Sequence, residues 1–136
     1  MLYKLNILLL STILLIYFIC FILFDYKNIT LYNITLFLFA APFIEEYLFR
    51  KIVQSYIYKL NNKIIFKYFS LSNIITSFLF VLAHFIFNYE NVLINLLIFI
   101  PSIYLGIVYE KYKNIWLNTL IHSIFNIIIF INLPVI

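Results

Sequence analysis

The chain has 136 residues, of which 66% are hydrophobic and 10% are charged, with one Gly, three Pro and one Cys. Soluble domains are about half apolar and about a quarter charged, so this composition excludes the soluble globular class. Disorder is excluded because disordered chains are poor in aromatic and β-branched residues, and the single Cys20 excludes a disulfide framework. An integral membrane protein is therefore expected, and the net charge of +4 should mark cytoplasmic loops rather than a nucleic-acid interface.

Five apolar runs are candidates for helices that cross a bilayer, each of which needs roughly 20 residues. None of them alternates between polar and apolar residues as the strands of an outer-membrane barrel do. The predicted fold is therefore all-α, a polytopic membrane helix bundle of about five transmembrane helices. The runs are Leu5–Phe24, Ile29–Leu60, Ser70–Phe87, Val92–Tyr109 and Ile115–Ile136.

The first run is predicted to be a retained anchor rather than a cleaved signal peptide, because it is long and no small-residue cleavage site follows it. The chain then divides into an N-terminal transmembrane anchor helix, residues 1–28, and a core, residues 29–136. The lysines predict a multi-pass protein of the cell membrane whose N-terminus is cytoplasmic and whose C-terminus lies outside. Six lysines fall on the predicted inner side, against Lys27 on the outer side: Lys4, Lys59, Lys63, Lys67, Lys111 and Lys113.

Charged side chains inside the second run indicate a function, because a charge within a membrane span costs several kcal/mol. Glu46 and Arg50 are four residues apart and can pair on a helix. Glu45 lies about 100° around the helix from Glu46, so Arg50 cannot neutralise both carboxylates equally well. The structural alternative is an ion pair at the membrane surface, with Arg50 and Lys51 reaching the headgroups.

The two histidines of the chain also lie inside apolar runs. One buried histidine on its own is more often a hydrogen-bonding partner between helices than a ligand or a base. His122 and Asn126, however, are four residues apart on one helix face, and His84 lies in a separate run. Together with the two glutamates and Arg50, they form a set that a proton relay, a metal site or a hydrolytic site could use.

Three short motifs succeed one another on separate predicted helices: Glu-Glu-x-x-x-Arg at 45, 46 and 50, Phe-x-x-x-His at 80 and 84, and His-x-x-x-Asn at 122 and 126. In this order they resemble the CPBP family of intramembrane proteases, also called the Abi family. That family joins the type II CAAX prenyl proteases with bacteriocin-processing and self-immunity proteins. The resemblance covers about Phe39 to Ile128, and the small number of spans before the first motif implies a minimal or shortened member.

The resemblance implies an endopeptidase that cleaves a peptide or protein substrate at the membrane. The residues agree with this chemistry, because no serine or cysteine nucleophile accompanies them and a buried carboxylate can activate water. Glu45 is the expected base, His84 would hold the same water, and His122 with Asn126 would donate to the oxyanion. The expected catalytic residues are Glu45, Glu46, His84, His122 and Asn126, with Arg50 and Phe80 in orienting roles.

Other interpretations stay open at this point. Glu45, His84 and His122 are a chemically suitable set for Zn²⁺, although without a His-Glu-x-x-His signature; a glutamate-activated water is favoured over a tightly bound metal. A non-catalytic bacteriocin self-immunity protein could use the same fold. A small transporter or proton relay is a weaker alternative, because five spans give no inverted repeat. The sequence does not identify the substrate.

Overall fold

The computed structural model describes residues 35–61, 63–87 and 92–132. The predicted first span, the anchor domain and Cys20 lie outside these residues, as do Lys4 and Lys27 of the orientation argument. The described part is helical apart from one short hairpin. This agrees with the predicted helical fold class, whereas the count of five spans stays a prediction.

Helix α1, residues 35–60, is one continuous helix that carries the first motif. Wider π-helical stretches, Leu36–Ala40 and Tyr47–Gln54, alternate with the α-helical stretches Ala41–Glu46 and Ser55–Leu60. Pro42 lies inside this helix, at the beginning of an α-helical stretch, and the helical backbone continues through it. The second wide stretch begins directly after the two glutamates, and such turns are frequent at functional sites.

A short antiparallel hairpin follows α1, although the sequence predicts helices alone. Strand β1, Ile64–Phe66, pairs with β2, Phe69–Ser70, and Lys67 in the turn between them has a left-handed backbone with φ of 41°. Strands of three and two residues are too short to show a period in the sequence, which is why the pattern does not predict them.

Four helices complete the described chain: α2 (Leu71–Phe87), α3 (Val92–Leu97), α4 (Phe99–Tyr112) and α5 (Ile115–Asn132). Only Ile98 separates α3 from α4, and Pro101 lies in the first turn of α4, just after this break. The combined helix Val92–Tyr112 is long and apolar enough to cross a membrane, by length and composition. Lys113, with φ of 52°, ends α4, and α5 returns antiparallel to it after two residues.

Large apolar side chains cover much of the outside of the bundle, while many polar side chains are buried within it. A soluble protein rarely exposes contiguous apolar surface on this scale, and a lipid-facing surface does. Trp116, expected in the headgroup layer, is 69% exposed and stacks on Phe43 with ring centroids 4.9 Å apart. Strongly exposed apolar residues of the helices include Ile86, Leu93, Ile100 and Leu120.

Close packing of α2 on α4 depends on a glycine. A Cβ atom added at Gly106 would lie 1.8 Å from Oδ1 of Asn73, so only glycine leaves room for that side chain. Nδ2 of Asn73 donates to the carbonyl of Ile103 at 3.0 Å, and Oγ of Ser77 donates to Oδ1 of Asn73 at 3.1 Å. Small residues combined with hydrogen bonds are typical of helix contacts within membranes.

Candidate active site

The carboxylate of Glu46 is fully buried and has a partner at each oxygen. Oε2 accepts hydrogen bonds from Nε of Arg50 at 3.3 Å and from Nδ2 of Asn118 at 3.0 Å. Oε1 lies 2.9 Å from Nδ1 of His122. Glu46 therefore joins the first motif on α1 to the third motif on α5.

Arg50 is also fully buried, so its guanidinium lies inside the bundle and does not extend outward as the structural alternative requires. Its Nη2 donates to both the carbonyl oxygen and Oγ of Ser102, each at 2.8 Å, and its Nη1 donates to Oε1 of Gln54 at 3.3 Å. The guanidinium carbon lies 5.8 Å from the centre of the Phe80 ring. These contacts on α1, α2 and α4 fix the cation beside Glu46.

Glu45 meets the other side of the same histidine. Its Oε2 lies 3.5 Å from Nε2 of His122, and its side chain is 10% exposed. His122 thus has a carboxylate at each ring nitrogen, and only Glu46 is also held by Arg50. The two glutamates are therefore inequivalent, as their angular separation on a helix predicts.

The charges of these four buried side chains balance only if Nε2 of His122 and the carboxylate of Glu45 share one proton. Arg50 is always a cation and offsets Glu46, and an uncompensated charge would be costly in this site. Nδ1 of His122 donates to ionised Glu46, so Nε2 either carries a second proton or accepts one from Glu45. A pair that shares one proton is suited to general acid–base chemistry.

The Phe80 ring contacts both histidines. Its centroid is 4.5 Å from that of His84 and 5.9 Å from that of His122. Nδ1 of His84 lies 2.9 Å from the Phe80 carbonyl, which can only accept, so Nδ1 carries the hydrogen and the neutral ring has its lone pair on Nε2. Within the described ranges no hydrogen bond or ion pair joins His84 to Glu45 or Glu46.

Asn118 contacts Glu46, whereas Asn126, predicted to donate to the oxyanion, bonds to the backbone of α1. Nδ2 of Asn126 donates to the carbonyl of Phe37 at 3.1 Å, nearer the beginning of α1. Asn118 precedes His122 by four residues and shares its helix face, a spacing that was visible in the sequence. Its place near the start of the last apolar run suggested a residue that bridges helices, within a stretch that resembles the last motif region of the CPBP family. Gln54 and Ser102, which bond to Arg50, belong to no sequence pattern that would predict this contact.

The proposed zinc ligands do not form a metal site in this arrangement. Among the described residues no three His, Cys, Asp or Glu side chains could hold a metal ion together. Glu45 and His122 meet, whereas His84 contacts the Phe80 ring and uses Nδ1 for a backbone carbonyl. This donor set therefore does not fit tetrahedral Zn²⁺.

A family model described as type II CAAX prenyl endopeptidase Rce1-like matches residues 26–128, about three quarters of the chain and all three motifs. The chain belongs to this family. The match agrees with the resemblance to CPBP proteins and puts the chain in the CAAX-type intramembrane protease superfamily. The Rce1-like family and the apolar helix Val92–Tyr112 together indicate a membrane location. No curated protein and no solved structure matches the chain.

Proposed function

We propose that the chain is an intramembrane endopeptidase of the CAAX prenyl protease and bacteriocin-processing type, which hydrolyses a peptide bond with a water activated by Glu45. The observation that carries the proposal is the position of His122 between two carboxylates, of which only Glu46 is neutralised by Arg50. Glu45 and His122 are then free to exchange a proton with a bound substrate.

In the starting state Glu45 is a carboxylate and His122 is an imidazolium, which keeps the buried group neutral. Glu45 takes a proton from the water as the water oxygen bonds to the carbonyl carbon of the substrate. Nε2–H of His122 donates to the oxyanion that develops on the carbonyl oxygen. Glu45 then passes its proton to the leaving nitrogen as the C–N bond breaks, which yields a carboxylic acid and an amine.

The remaining motif residues support this pair. Glu46 orients His122 through Nδ1, as a carboxylate orients the histidine of a catalytic triad, and Arg50 holds Glu46 in place. We assign His84 to the water as a second acceptor, through the lone pair on Nε2. We assign Asn126 a positioning role. Its hydrogen bond to the Phe37 carbonyl joins α5 to α1 and fixes the position of His122 along α1.

The direct test is cleavage of a peptide library that includes prenylated CAAX peptides by purified protein. Wild type should cleave at least one peptide, Glu45→Gln should not, and Lys51→Ala should remain active. Lys51 is the control, because its side chain is exposed and contacts the Tyr47 ring rather than His122. A chelator should leave the rate unchanged; a loss that Zn²⁺ restores would replace the metal-free step while keeping the same residues.

The alternative function, a non-catalytic bacteriocin self-immunity protein on the same fold, makes the opposite prediction. Cells expressing Glu45→Gln would keep full protection from a bacteriocin, and well-folded wild type would cleave no peptide. Equal cleavage by wild type and Glu45→Gln would indicate a contaminating protease or a different site.

A further inference from the structure

Asn118 is placed where it can act on the reactive group without belonging to any of the three motifs. Its Nδ2 donates to Oε2 of Glu46 at 3.0 Å and to the carbonyl of Leu105 at 2.8 Å, and the side chain is fully buried. It therefore supplies Oε2 of Glu46 with a second donor beside Nε of Arg50.

These two contacts determine which way the amide of Asn118 faces. Both partners, a carboxylate oxygen and a carbonyl oxygen, can only accept hydrogen bonds, so the NH₂ group must point toward them. Oδ1 consequently points away from them, and in the described part of the chain this buried acceptor has no donor. Buried acceptors are normally satisfied by protein or by ordered water.

The other buried side-chain oxygen without a partner among the described residues is Oγ1 of Thr76 on α2. Helix α4 runs antiparallel to both α2 and α5, so α2 and α5 run in the same direction. The rings of Phe80 and His122 are in contact, and Thr76 and Asn118 each precede them by four residues. Each of the two unpartnered oxygens therefore belongs to a residue about one helical turn, roughly 6 Å along its own helix, from that contact.

We propose that Asn118 is a positioning residue of the hydrolytic site, which fixes Glu46 through Nδ2 and binds a buried water molecule, shared with Thr76, through Oδ1. A buried water needs two to four polar partners, and Thr76 can donate to it while Asn118 accepts from it. The positioning part of the proposal rests on the proposed hydrolysis, whereas the water site does not.

The kinetic test uses the best-cleaved library peptide, with Glu45→Gln in parallel as the inactive reference. Asn118→Ala should lower kcat by about 10-fold or more while KM changes little, because the amide acts through Glu46 and does not contact the substrate. Asn118→Asp should be at least as slow, since it sets a second carboxylate against Glu46. Wild-type kcat in Asn118→Ala, in an assay where Glu45→Gln is inactive, would overturn the positioning role.

The water site is tested by thermal unfolding of Thr76→Val, with Thr119→Val as control. Thr119 is also buried, but its Oγ1 bonds to the Ile115 carbonyl of its own helix. If Thr76 holds a water, Thr76→Val should lower the unfolding temperature, Thr76→Ser should keep it near the wild-type value, and Thr119→Val should have a smaller effect than Thr76→Val. If Oγ1 is simply unsatisfied, Thr76→Val should raise the unfolding temperature, because an unpaired buried hydroxyl is removed. That result would overturn the water site even if no substrate is found.

Discussion

Glu46 and His122, 76 residues apart in the sequence, are joined by a 2.9 Å contact between Oε1 and Nδ1. This contact fixes the orientation of the imidazole ring and directs Nε2 toward Glu45. One carboxylate is thereby a fixed support for the histidine, and the other is available for chemistry. The predictions below follow from this division of roles.

Removal of the Arg50 guanidinium should unfold or deplete the protein as well as inactivate it. Arg50→Ala leaves the buried Glu46 carboxylate without its counter-ion, and breaking a buried pair in this way costs about 3–5 kcal/mol. The measurement is the amount of folded protein in membranes together with the unfolding temperature. Lys51→Ala is the matched control, because Lys51 is exposed and contacts the Tyr47 ring; equal stability of the two variants would contradict the buried pairing.

Gly106 and Asn73 should be energetically coupled. Gly106→Ala puts a Cβ 1.8 Å from Oδ1 of Asn73 and should destabilise the protein by about 1–3 kcal/mol through overpacking. Asn73→Ala removes the obstructing side chain, so the double variant should lose clearly less stability than the sum of the two single losses. Additive losses in a thermal or denaturant unfolding series would mean that the two residues do not meet.

Topology reporters test the arrangement of spans that the lysines predict. A reporter fused after Ile136 should lie outside the cell, and one inserted near Asn62, next to the hairpin, should lie in the cytoplasm. The same side for both reporters would remove one span from the predicted fold and undo the charge argument.

The motif residues that share one helix were the easiest to predict. The pairing of Arg50 with Glu46 and the inequivalence of the two glutamates follow from the helical period alone. Depth was harder: counted from the predicted cytoplasmic ends, Glu45 lies about 20 Å deep and His122 only about 10 Å. The two side chains nevertheless meet, so the ends of the apolar runs do not mark a common starting level for the helices.

Contacts between helices could not be read from the motifs. The sequence grouped His84 with Glu45, and in the structure the ring contacts of His84 are with Phe80, which packs edge-on against Phe49 of α1 with ring centroids 4.9 Å apart. Likewise Asn118 reaches Glu46 because α5 crosses α1 at this level. Such contacts depend on helix rotation and depth, which hydropathy does not encode.

The central claim is that Glu45 and His122 form one hydrolytic unit, and a double-variant kinetic cycle tests it most directly. The rate of cleavage of one peptide is measured for wild type, Glu45→Gln, His122→Ala and the double variant. Each single change should lower kcat/KM by about 10² or more, and the double variant should be little slower than the slower single variant, because residues that act as a unit are strongly non-additive. A double variant slowed by the product of the two single effects would mean that the residues act independently and would contradict the account.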